Sequence, residues 1–153
     1  MKYKHTQIGY LMLVVTLAVL VLFAWVQITA ANEPPSADSG TNLLITSVMA
    51  LILAILASFT SLQVNIDEKY LRIKFGYGIF QKKFSLDDVI SAKAVKNHWY
   101  YGWGIRMWLK PKMWIFNVSG FEAVEIKLKN GRTYRIGTDE PEKLQQAIFD
   151  SIK

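Results

Sequence analysis

The sequence predicts an α-helical transmembrane hairpin joined to a mainly-β soluble domain that one C-terminal α-helix closes. Three observations predict it. Two long stretches carry no Lys, Arg, Asp or Glu, one between Lys4 and Glu33 and one between Asp38 and Asp67. Beyond Ser61 the apolar residues stop running together and alternate with polar ones, the period of half-buried strands. The end of the chain changes again, to apolar residues at helical spacing. The 153 residues, 52% hydrophobic, thus divide into a hairpin over 1–60 and a domain over 61–153, a usual size for one compact unit. With no cysteine, disulfides and cysteine-ligated metals are excluded.

Ile8 to Ala30 supplies 23 residues, mainly Leu, Val, Ile, Phe and Ala. At about 1.5 Å per residue, a helix of that length crosses a hydrocarbon core of about 30 Å with some tilt. Leu43 to Thr60 supplies 18, near the lower limit, and crosses if it stands nearly upright. Between them, Ala31 to Asn42 holds the turn formers and helix breakers Pro34, Pro35, Ser36, Ser39 and Gly40, and its only charges are Glu33 and Asp38. A connection this short makes the helices antiparallel. Lys2 and Lys4 precede the first span, the loop has neither Lys nor Arg, and the other basic residues follow the second span. Both termini are therefore expected in the cytoplasm, on a multi-pass protein of the inner membrane. A cleaved signal peptide competes, with Met1 to His5 as its basic start and Thr29, Ala30 and Ala31 as a small-residue cleavage site. Against it, the apolar run exceeds the usual length of about 7 to 15 residues. Ser47, Ala50, Ala54, Ala57 and Ser58 form a small-residue stripe on the second span. It is expected to pack against the first span, although a contact between protomers uses the same physics.

In the soluble part, Leu62, Val64 and Ile66 share one face, as do Leu71, Ile73 and Phe75. A four-residue loop, Asp67 to Tyr70, sets Ile66 opposite Leu71 and keeps all six on one side. Ile79 to Leu86 and Val89 to Val95 are two more predicted strands around Asp87 and Asp88. Ile105 to Leu109 and Met113 to Val118 are another pair, around Lys110, Pro111 and Lys112. In the last hairpin, a two-residue turn at Asn130 and Gly131 would put the apolar faces of its strands on opposite sides of the sheet. A three-residue loop, Lys129 to Gly131 with Gly131 left-handed, instead pairs Ile126 with Tyr134, Val124 with Ile136 and Glu125 with Arg135. About seven strands at this spacing suit a sandwich or barrel. Asp139 and Glu142 form a capping box around Pro141, and Leu144, Ala147, Ile148, Ser151 and Ile152 form the apolar stripe of a closing helix.

The segments Leu71 to Gly76, Phe84 to Ile90, Gly102 to Arg106, Ala123 to Leu128 with Gly131, and Ile136 to Leu144 carry a resemblance to the bacterial pleckstrin-homology-like (PH-like) domain family. It covers essentially all of 61–153. The resemblance implies a seven-stranded sandwich or barrel closed by one C-terminal helix, in a membrane-anchored or soluble module without a shared catalytic activity. It also implies partners among lipids or proteins, because eukaryotic pleckstrin-homology domains bind phosphoinositides or proteins.

Enzymatic readings fare badly, and no cofactor is expected. His5 and His98 are the only histidines, and there is no nucleophile elbow, zinc-ligand spacing or phosphate-binding loop. Gly76 with Gly78, and Gly102 with Gly104, fit turns beside strands better than phosphate cradles. Asp87 and Asp88 fit a solvated turn. The Asn117–Ser119 glycosylation triplet would face the cytoplasm.

The segment that stands out is His98 to Phe116. There Trp99, Tyr100, Tyr101, Trp103, Trp108 and Trp114 are interleaved with Arg106, Lys110 and Lys112, too many aromatic side chains for one side of a small core. The candidate surface residues are Trp99, Tyr100, Trp103, Arg106, Trp108, Lys110, Lys112 and Trp114. On a bilayer, Trp and Tyr would sit at headgroup level while the cations meet anionic lipids. Alternatively, the same surface or a strand edge receives another membrane protein or a second copy of the chain. Nucleic-acid binding ranks last, because the net charge of +6 already follows from the expected topology.

Overall fold

The computed structural model describes residues 2–33 and 39–153; Pro34, Pro35, Ser36 and Asp38 of the expected turn lie outside the described residues. The protein is mixed α and β, with two sheets and three α-helices among the described residues.

The chain opens with a strand, β1 (Tyr3–Ile8), where only a basic flank to the first span was expected. Tyr3, His5 and Gln7 point inward while Lys4, Thr6 and Ile8 point out, an alternation that mixed polarity disguises in the sequence. β1 pairs antiparallel with β2 (Ser61–Ile66), Tyr3 opposite Ile66 and Ile8 opposite Ser61. The expected boundary at residue 60 thus moves, since residues 3–8 belong to the sheet.

The helices α1 (Tyr10–Ala31) and α2 (Ser39–Ser58) are inserted between these paired strands. α1 starts at Tyr10, not Ile8, because Ile8 is held in the ladder. α2 starts at Ser39, not Leu43, so Ser39 and Gly40 of the expected turn are helical, and it ends at Ser58 and not at Thr60, whose carbonyl accepts the Gly9 N–H at 2.7 Å. Met12, Thr16, Val19, Phe23 and Val26 form the half-buried seam of α1, facing Thr46, Met49, Leu53 and Leu56 of α2. These three- and four-residue steps are those of antiparallel helices packed knobs-into-holes. Gln27 donates to the Thr46 hydroxyl across the seam (3.0 Å). Ser47, Ala50 and Ala54 are exposed, so most of the expected small-residue stripe faces away from α1: the larger Met49, Leu53 and Leu56 fill the seam. Among the described residues one helix, Tyr10–Ala31, is long and apolar enough to cross a membrane. None of its residues is buried.

β2 and β3 (Tyr70–Phe75) pair in the expected register, Ile66 with Leu71, Val64 with Ile73 and Leu62 with Phe75. Asp67 shapes their loop: its carboxylate accepts the Lys69 and Tyr70 N–H groups, which with Arg72 hold its pKa below the ordinary range. β4 (Gln81–Ser85) completes a sheet of order β1-β2-β3-β4 and stops short of Leu86, where a 3-10 turn takes Leu86, Asp87 and Asp88.

The second sheet has the order β5-β8-β9-β7-β6, from β5 (Val89–Lys96), β6 (Gly104–Leu109), β7 (Lys112–Asn117), β8 (Glu122–Leu128) and β9 (Thr133–Gly137). The bulged turn forms as expected. Ile126 faces Tyr134, Glu125 faces Arg135, Gly131 takes φ 80° and its N–H meets the Leu128 carbonyl at 2.9 Å. Among the described residues nine strands form, β1 being added to the eight segments expected from alternation, and β7 runs parallel to β9 because two chain reversals separate them.

The main core lies between the sheets, with Leu62, Val64, Ile73 and Phe75 against Phe116, Val124, Ile126 and Ile136. α3 (Pro141–Ile152) packs on β5, β8 and β2 and buries Leu144 and Ile148. Its expected capping box does not form. Glu140 takes the N-cap position without a side-chain cap, and the Asp139 carboxylate bonds His5 of β1 instead.

Two outcomes test this architecture in the detergent-solubilised full chain. Buried Asn117 organises the β7–β8 turn, donating to the Gly120 carbonyl (2.9 Å) and accepting the Ser119 N–H (3.3 Å); a Cβ on Gly137 would collide with its carboxamide. Gly137→Ala should therefore cost about 1–3 kcal/mol in denaturant unfolding. Burial, with Glu140 nearby, pushes the Tyr3 phenol up to about 12. The unfolded chain releases that proton near the ordinary value of about 10, so Tyr3 contributes stability below it that is lost as pH climbs towards about 12. Tyr3→Phe should flatten this alkaline fall in melting temperature.

Candidate bilayer-facing and partner-facing surfaces

The domain has no linker to its helices. Phe59, one residue past α2, inserts its ring among Phe75 (5.2 Å between centroids) and Phe80 (5.2 Å, stacked). Backbones close in around it. A Cβ on Gly76 would lie 2.7 Å from the Ser58 carbonyl, and one on Gly9 would lie 2.9 Å from the Val118 carbonyl. Gly76 also takes φ 47°, so the site favours glycine twice over. From the β3–β4 loop, the Tyr77 hydroxyl donates to the Ala54 carbonyl, one turn inside α2.

That loop was absent from the expected surface residues. Tyr77 and Ile79 are 55% and 63% exposed, and they sit where the apolar helices enter the domain. Lys74 lies along Gly78 of the same loop, and Lys82 is exposed on the adjoining end of β4. The only signal available in the sequence was a pair of apolar residues, Tyr77 and Ile79, spaced by turn glycines. On the same end, Gln7 donates to the Ser119 carbonyl (3.1 Å), and the following Phe121 packs on Trp103 (6.1 Å).

The eight candidate residues do not form one patch. A 3-10 turn, Trp99–Tyr101, folds over the outer face of the second sheet, and Tyr101 seals a small second core with Met113 and Ile115. Trp108 packs on that core 4.9 Å from Tyr101, and its indole N–H bonds the Lys110 carbonyl (2.9 Å). It is thus a packing residue, not an outward anchor. Tyr100 stacks on His98 (5.0 Å) and leans on Trp108 (5.6 Å). Arg135 fixes the turn from below, bonding Glu125 (2.9 Å) and Asn97 (3.1 Å), with its guanidinium 5.7 Å from the Tyr101 ring.

Trp99, 76% exposed, borders a shallow depression with Phe121 and Lys96. Trp103 is half-buried beside Phe121. Arg106 is exposed and donates Nε to the Trp103 carbonyl (3.1 Å), and Lys110 and Lys112 stand at the tip of the β6–β7 hairpin. Trp114 lies on the opposite face of that hairpin, beside Met107. Strand alternation separates what the linear segment brings together. Among the described residues, no group of three His, Asp or Glu side chains could hold a metal ion.

No protein-family profile matches this chain, and no curated protein is detectably similar to it.

An environment-sensitive dye tests whether the helix-proximal end meets lipid, using single cysteines in a chain that has none. On Ile79→Cys in nanodiscs the dye should emit in the blue and be quenched by brominated lipid. On Lys110→Cys it should report water.

Proposed function

We propose that the chain is a two-span protein of the inner membrane whose cytoplasmic PH-like module is non-enzymatic and holds its helix-proximal end on the anionic inner leaflet. The observation that carries this reading is the β1–β2 ladder around two apolar helices whose large aliphatic side chains are mostly exposed. Strands that share hydrogen bonds lie on one side of a membrane. If α1 crosses, the chain must come back before β2, and α2 is the segment available. Exposed Leu, Val and Ile along both helices favour lipid as their solvent.

The side follows from the basic residues, absent between the two helices and abundant after them. Signal-peptide cleavage after Ala31 would strip an ordered edge strand from the sheet, which disfavours that alternative. For the module, exposed Tyr77 has the amphipathic character of a residue at the headgroup level, and exposed Ile79 and Phe121 add apolar surface on the same end. Lys74 and Lys82 beside them would each add about 1 kcal/mol on anionic lipid, an attraction that salt weakens. The PH-like assignment rests on the segments quoted above, together with two packed sheets and a closing helix.

Cysteine accessibility in spheroplasts tests the topology. Asn32→Cys should react with a membrane-impermeant maleimide from outside, and Lys153→Cys only after permeabilisation. Labelling of Lys153→Cys in intact spheroplasts defeats the proposal. For the lipid contact, Lys74→Glu with Lys82→Glu should remove any difference in Ile79-site dye emission between anionic and neutral nanodiscs.

A further inference from the structure

The two sheets leave four strand edges, at β1, β4, β5 and β6. Three are guarded. β5 has a register irregularity between Val89 and Ser91, lies against α3, and has its Ala94 N–H bonded to Gln145 of that helix (2.9 Å). β4 presents exposed Gln81, Lys82 and Lys83. β1 carries Lys4 outward and is tied to the start of α3 through His5 and Asp139. Charges, bulges and covering helices are the usual means of keeping an edge from pairing.

β6 has no such guard. Its inner-face residues Met107 and Leu109 run past the sandwich and stay exposed, Leu109 at 70%, and Trp114 of β7 continues their apolar face. Its outer face carries Arg106 and the half-buried Trp108, with Lys110 next in that alternation at the tip, while Lys112, paired with Leu109, lies on the apolar side. Among the described residues none of the three cations forms an ion pair. The edge thus has an apolar face and an outer face on which Arg106 and Lys110 flank Trp108, in the two-residue period of a strand.

We infer that β6 is a docking edge for an extended segment of a partner protein in which acidic residues alternate with apolar ones. Added as a sixth strand, such a segment lays its apolar side chains beside Met107 and Leu109 and its carboxylates beside Arg106 and Lys110. Charge selects this occupant over a second copy. Gly104 to Asn117 contains no Asp or Glu, so a second β6 edge offers no carboxylate to Arg106 or Lys110, and registers that oppose Arg106 to itself or to Lys110 set cation against cation. The inference stands apart from the bilayer reading, because it concerns the edge strand and the hairpin tip and not the β3–β4 loop.

The test uses the full chain in phosphatidylcholine nanodiscs and two capped peptides, one alternating valine with glutamate and one alternating valine with lysine. Fluorescence anisotropy should show the glutamate peptide binding about tenfold more tightly, the worth of two or so cross-strand charge pairs. Hydrogen exchange should slow at residues 104–109. Arg106→Glu combined with Lys110→Glu should reverse the preference, and Met107→Asp should weaken both peptides, with exchange in β8 and β9 unchanged as the check on folding. The inference is overturned by failure of both peptides to bind, by protection elsewhere than β6, or by a preference that survives the charge reversal. A dimer lost on Met107→Asp would assign the edge to a second copy, and β6 protection by anionic lipid alone would assign it to the bilayer; either result also overturns it.

Discussion

The ladder between β1 and β2 is the constraint from which the rest of the structure follows. It joins residues separated in the sequence by two apolar helices, so the whole hairpin becomes an insertion between neighbouring strands. Closing such a loop carries an entropic cost, which packing along the α1–α2 seam and the strand hydrogen bonds offset. Once the ladder is formed, both helices leave from the same end of the sheet, and their first and last residues are fixed against each other through Gly9 and Thr60.

That junction is tight because three segments meet there with little side chain between them. Gly9 lies against the Val118 carbonyl, Gly76 against the end of α2, and Phe59 fills the remaining volume against Phe75 and Phe80. Helices and domain therefore present themselves as one body, in which the β3–β4 loop is held beside α2 by the Tyr77 hydroxyl. The orientation of the domain relative to the helices is set by core packing and not by a flexible tether.

The aromatic segment shows how strand geometry sorts a dense stretch of sequence. Tyr101 and Trp108 close a second core on the outside of a sheet whose inside is already filled, while Trp114 and Met107 emerge on the opposite face of the same hairpin. The result is an aromatic turn that is largely structural and a neighbouring edge strand with an exposed apolar face and, on the other, Arg106 beside Trp108.

Much of the fold was legible in the sequence wherever a local period was strong. The presence of two apolar helices, the register of β2 with β3, the bulged turn at Gly131 and the buried stripe of α3 all follow from apolar runs, alternation or helical spacing, because burying one face fixes the register of a strand. What the sequence did not reveal depends on contacts between distant residues. Tyr3 to Ile8 forms a strand only because β2 offers it an edge, Asp139 gives up its helix cap because His5 arrives from the other end of the chain, and Ser47, Ala50 and Ala54 face away because larger side chains fill the seam. The candidate surface divides for the same reason: sequence spacing says which residues share a face, but only the packing of one sheet on another decides whether that face is covered.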